Sequence, residues 1–93
     1  MTEAQLSRKI IKRLKDHDCF AVKNHGGPHS VRGLPDIVGC YAGSFFALEV
    51  KLPGREKTLT ELQAKKLRDI REAGGVAEMV TSVKQALEAV DCG

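Results

Sequence analysis

Tryptophan is absent from this chain, and one tyrosine and three phenylalanines are its only aromatic residues. Proteins that read single strands by stacking successive bases need more ring faces than that, so a base-stacking platform is disfavoured. Cysteine is scarce: residues 19, 40 and 92 are odd in number and widely spaced, with no Cys-x-x-Cys. That argues against a disulfide framework or a zinc ribbon and points to reduced thiols. Cys40 lies in an apolar run and is expected to be a small core residue. No apolar stretch approaches the roughly 20 residues that span a bilayer. Met1-Thr2-Glu3-Ala4-Gln5 lacks the basic-then-apolar order of a secretory leader. The expectation is a cytoplasmic protein with no membrane partner. Neither sign of charge dominates, with 15 basic and 12 acidic residues and a net +3. So mild a balance does not establish nucleic-acid binding, but it does not repel phosphate either.

What is present reads as globular: 42% apolar and 29% charged residues. A chain of 93 residues is expected to form one domain, residues 1–93, with little core to spare. Leu6, Ile10 and Leu14 recur every four residues with Ile11 beside them, which predicts an amphipathic helix over 2–15. Thr2 and Gln5 have capping-box spacing at its start. A short strand is predicted over 19–23, then a loop from Asn24 to Pro35. Strands over 36–41 and 45–51, joined by Ala42-Gly43-Ser44, predict an antiparallel hairpin. Thr60 and Gln63 repeat the capping spacing before a helix over 61–73, which Gly74-Gly75 ends. A fourth strand over 76–80 and a last helix from Ser82 to Val90 complete the order αβββαβα. The strand–helix–strand crossover near the C-terminus makes the sheet mixed, so the expected class is α/β with a central four-stranded mixed sheet flanked by helices.

The chemistry concentrates on Asp36, Glu49 and Lys51. In an antiparallel hairpin the start of one strand lies beside the end of the next, so Asp36 is expected next to Glu49 and Lys51. Two carboxylates at that separation suit a hard divalent cation, Mg²⁺ or Mn²⁺, with the Val50 carbonyl as a further oxygen. Lys51 could orient a water or neutralise charge on a phosphorane. Arg32 could clamp a neighbouring phosphate. Basic residues crowd the stretch after the carboxylates, including Arg55, Lys57, Lys65 and Lys66, and these with Lys23 and Arg32 form the expected DNA-binding set. Taken singly, each feature has an ordinary reading: Glu-x-Lys as an exposed strand pair, Pro-Asp as turn chemistry, the basic run as a solvated face. His25 and His29 flank Gly26-Gly27-Pro28 with Cys19 upstream, but in no zinc-ligand spacing. A loop that contacts phosphate suits them better.

The flanks add a resemblance. Arg32-Gly33-Leu34-Pro35-Asp36, Phe46-Ala47-Leu48-Glu49-Val50-Lys51-Leu52-Pro53-Gly54 and Leu59-Thr60-Glu61-Leu62-Gln63 resemble the VRR-NUC branch of the PD-(D/E)XK nucleases, in its minimal stand-alone form of phage type. The resemblance implies a restriction-endonuclease-like core. It also implies Asp36, Glu49, the Val50 carbonyl and Glu3 as metal ligands, Lys51 as catalytic lysine, and Gln63 as a residue lining the site. For Glu3 the alternative is a first-turn acid serving the helix dipole. For Gln63 it is the capping box. Similar minimal nucleases are the archaeal four-way-junction resolvases, which implies a homodimer cutting branched DNA in the cytoplasm, that of a host if phage-encoded. The dimer surface is left open between the first helix and the hairpin edge. Other outcomes are a nuclease for flaps, linear duplex or RNA, and a non-catalytic DNA-binding module of the same fold.

Overall fold

The computed structural model describes every residue except Gly27, His29, Ser30 and Gly93. His29 thus lies outside the described residues. The elements are helix α1 (Glu3–Asp16), strands β1 (Phe20–Lys23), β2 (Ile37–Tyr41) and β3 (Ser44–Val50), helix α2 (Glu61–Glu72), strand β4 (Val76–Val80) and helix α3 (Val83–Val90). A single 3₁₀ turn, Glu56–Thr58, lies between β3 and α2. The strand order is β1-β2-β3-β4, with antiparallel pairing up to β3 and parallel pairing of β3 with β4. The mixed α/β sheet expected from the sequence is the one observed.

Local chemistry explains the element ends. The Thr2 and Thr60 side chains each accept a hydrogen bond from the backbone N–H three residues on, and the Gln5 and Gln63 side chains accept one from the cap N–H, so α1 and α2 both open with complete capping boxes. Ser82 caps α3 from its hydroxyl. The β2–β3 turn is tighter than the sequence suggested. Tyr41 pairs with Ser44, which leaves Ala42 and Gly43 as a two-residue loop with φ of 51° and 84°. Two successive positive φ values are what a type I′ hairpin turn requires, and Ala42 tolerates the strain because the strands on either side are paired.

The sheet has a full face and a half-covered one. Leu6, Ile10 and Leu14 of α1 and Ala86 and Val90 of α3 pack with Phe46, Leu48 and Val50. Phe46, Leu48 and Val50 alternate along β3, as a strand with one apolar face requires. That period does not record that Ala47 and Glu49, on the opposite side, are also buried. The reason is topological. Crossing from β3 to β4 places α2 on that side, where Leu67 and Ala77 are buried as well and Arg71 Nε donates to the Ala77 carbonyl at 2.7 Å. A central strand with both faces covered reads as a continuous apolar run. α2 packs on β4 and β3, and the same face of β1 and β2 stays open at Phe20, Val22 and Cys40. Cys40 lies on this open part and is exposed, not the core residue expected from its apolar neighbours.

Candidate active site

The β2–β3 register pairs Ile37 with Leu48 and so sets Asp36 opposite Glu49, one step further along. Two devices fix Asp36 there. Its Oδ2 accepts the Val50 N–H at 2.9 Å, taking the place of a ladder bond where β2 has ended. Asn24 holds the backbone from the other side: its N–H donates to the Asp36 carbonyl at 2.7 Å and its side-chain Nδ2 to the Pro35 carbonyl at 3.2 Å. Sequence reasoning placed Asn24 in a loop and gave it no role. The only signal was an amide residue at a strand end facing a Pro-Asp step.

Glu49 is 3% exposed and Lys51 8%, deep burial for charged groups. The Glu49 carboxyl is pushed up to about 9, first by burial, then by its hydrogen bond to Asp36 and by that residue's negative charge. Lys51 opposes this shift, and Glu3 adds slightly to it. Asp36, Glu49 and Lys51 therefore share one environment, and Glu3, exposed at the start of α1, stands at its margin. The Lys51 N–H donates to the Val80 carbonyl at 3.0 Å, which extends the parallel pairing past β3 and anchors the lysine backbone.

Lys23 is nearer to the carboxylates than a general DNA contact would be, with Nζ 3.6 Å from Asp36 Oδ1. A cation held by Asp36 would have to displace it. Replacing it, Lys23→Met, is then expected to tighten Mn²⁺ binding several-fold, on the order of 1 kcal/mol for a partly exposed pair. Calorimetric titration checks this, and an unchanged affinity would show that the pair does not compete.

The remaining expected residues fall into two groups. Arg32 lines a shallow depression with Asn24, Leu34 and Asp36, beside the carboxylates. Its position depends on Gly33, whose φ of 81° is left-handed and whose α-carbon lies against Leu62 of α2: an added Cβ would stand 2.8 Å from Leu62 Cγ. The Arg-Gly-Leu-Pro-Asp and Leu-Thr-Glu-Leu-Gln segments thus meet in space. Gln63 is half-buried, and its Oε1 is committed to the Thr60 N–H at 2.9 Å, leaving only its amide nitrogen for a ligand. Arg55 and Lys57 are exposed in the turn after β3. Lys65 lies on α2 in an exposed ion pair with Asp69 at 2.9 Å, and Lys66 is half-buried.

Among the described residues, no three His, Cys, Asp or Glu side chains form a ready-made metal cage. His25 is accordingly in no such group. The donor set nevertheless fits a hard divalent cation. Burial and the neighbouring Asp36 hold a proton on Glu49; once that proton leaves, the two adjoining carboxylates carry two negative charges that a divalent cation can neutralise. Mg²⁺ is ordinarily held by one or two carboxylates, with water and substrate phosphate completing the octahedron.

No protein-family model matches the chain, and no curated protein matches it in sequence. Solved structures do. A VRR_NUC domain superposes with a TM-score of 0.71 at 22% identity, over 96% of this chain and 94% of that one. Hjc of Archaeoglobus fulgidus, a Holliday junction resolvase from an archaeal hyperthermophile, superposes with a TM-score of 0.65 at 21% identity, over 85% of this chain and 67% of that one. No described helix is long and apolar enough to cross a membrane. The chain therefore has the restriction-endonuclease-like fold that a VRR-NUC domain and the Hjc resolvase share, the fold of PD-(D/E)XK-type nucleases.

Proposed function

We propose that this chain is a single-domain, Mg²⁺- or Mn²⁺-dependent endodeoxyribonuclease that acts as a homodimer on branched DNA, four-way junctions above all. The observation that carries the reading is the half-buried Asp36 set against the buried Glu49 and Lys51 on a nuclease fold. A protein that only binds DNA gains nothing from buried carboxylates next to phosphates.

Asp36 and Glu49 would hold the cation, with the Val50 carbonyl and Glu3 as further oxygens. When bound, the cation supplies Lewis-acid stabilisation of a phosphate oxygen and acidifies a water. The other steps belong to the chain. Val50 N–H and Asn24 keep Asp36 from turning away, so the carboxylate is aimed before substrate arrives. The Lys51 ammonium, largely shielded from solvent, orients the attacking water and neutralises charge as it builds on the phosphorus oxygens. Gln63 contributes its free amide N–H groups at the rim. Arg32 grips the neighbouring phosphate from the depression beside Asp36. Lys23, Arg55, Lys57, Lys65 and Lys66 hold the backbone further out. A footprint this small favours recognition of DNA shape over base readout.

The test uses labelled four-way, flap and linear duplex DNA and single-stranded RNA, with Mg²⁺, Mn²⁺ or EDTA. The junction is expected to be nicked at least tenfold faster than the linear duplex, and not at all in EDTA. Equal rates on junction and linear duplex would remove the junction preference and leave the chemistry. No cutting of any substrate with either metal would leave a binding module.

A further inference from the structure

The sheet face that α2 leaves uncovered is an unbroken apolar strip. The strand register aligns Phe20, Cys40 and Phe45 across β1, β2 and β3, with Val22 and Val38 in the next row. Phe20 is 64% exposed, Phe45 47% and Val22 40%, and Cys40 is exposed as well. Large rings are rarely left this open in neighbouring positions on a regular sheet. We propose that this strip is where a second copy of the chain docks. The proposal rests on the dimeric reading above and adds the surface that makes the dimer.

Three observations select a second copy. First, the strip carries no charged residue, so it offers nothing to a phosphate backbone; the cations lie elsewhere. Second, its open side chains present on the order of 400 Å² of apolar surface, as much as the largest patch on a typical monomer. That suits the apolar centre of an interface that needs about 800 Å² from each partner, the remainder being polar rim. Third, the rings stand clear of the carboxylates. Along β2, Cys40 is four residues, about 13 Å, from Asp36, and Val38 is two residues, about 7 Å, from it. A partner seated on the rings leaves both sites open to DNA. A flat row of Phe, Cys and Phe is also self-complementary, as a two-fold contact requires. Neither surface considered from the sequence is free: helix α1 spends its apolar stripe on the core, and the hairpin strands β2 and β3 have no open edge because β1 and β4 flank them.

Sedimentation equilibrium of the wild type should show a dimer. Phe20→Lys, at an exposed position, should leave the circular dichroism spectrum unchanged and weaken dimerisation by roughly 100-fold, since each dimer loses two anchor rings. A second measurement does not depend on that variant. Stacked sheets lie about 10 Å apart, so the two Cys40 thiols come within reach of a short bis-maleimide. In a Cys92→Ser background, with Cys19 buried, a covalent dimer should form, and Cys40→Ser should abolish it. A wild-type dimer that survives Phe20→Lys and does not cross-link through Cys40 would overturn the assignment of this face while leaving the dimer itself standing. A monomeric wild type would overturn both, and nuclease activity in either case would be untouched. A monomer that floats with phosphatidylcholine–phosphatidylglycerol vesicles through Phe20 would reassign the strip to a lipid surface.

Discussion

Asp36→Asn is expected to reduce metal-dependent cleavage by roughly 10³-fold, with the fold intact and DNA still bound. The choice of asparagine matters. Oδ2 of Asp36 accepts the Val50 N–H, and an asparagine oxygen can keep that bond while giving up the charge that binds a cation. Alanine would remove both and confuse a lost ligand with a loosened strand end. Asp36→Asn also removes the negative charge that holds the Glu49 proton, so the Glu49 carboxyl of the variant should titrate lower than in the wild type. Cleavage rates and DNA binding measured together check the claim. If both fall equally, Asp36 serves to hold the fold or the DNA. If neither falls, the catalytic assignment is wrong.

Glu49→Gln is expected to raise the thermal stability of the metal-free protein at pH 8, by about 5 °C. The sign follows from linkage. The Glu49 carboxyl has an ordinary value of 4.5 and is pushed up to about 9 in the fold. Between those values the folded chain keeps a proton that the unfolded chain releases. Wild-type stability therefore falls as pH rises through that window. Glutamine has no such proton, so its advantage should be small at pH 5 and grow toward pH 9. Saturating Mn²⁺ should reverse the order. It replaces the proton in the wild type and should raise its midpoint by roughly 10 °C at a hundredfold excess over Kd, with little effect on the variant. Melting curves at pH 5, 7 and 8.5, with and without metal, test all of this. A variant less stable than the wild type throughout would mean that Glu49 serves the metal-free fold.

The sequence carried the element order and the pairing that matters most. Leu6, Ile10 and Leu14, the two capping boxes and the alternation of Phe46, Leu48 and Val50 are local patterns, and each has the place it implied. The approach of Asp36 to Glu49 and Lys51 was also legible, because hairpin geometry brings those positions together. What was not legible depends on neighbours distant in sequence. The burial of Ala47 and Glu49 depends on which face α2 covers, and nothing in residues 44–50 records that. The same missing fact turned Cys40 from a core residue into an exposed one. The hold of Asn24 on Asp36 joins two segments across a loop, and Gly33 owes its place to Leu62 on another helix. Short loops do not advertise such contacts.

The central claim is that a divalent cation displaces the proton that Asp36 and Glu49 keep between them. Its most direct measurement is a calorimetric titration of Mn²⁺ into the wild type at pH 6 and pH 8, in buffers of different ionisation enthalpy so that protons can be counted. The account predicts one binding site, release of close to one proton per ion, tighter binding at the higher pH, and loss of the heat in Glu49→Gln. Binding of the same strength at both pH values with no proton released, or unchanged binding in Glu49→Gln, would contradict it.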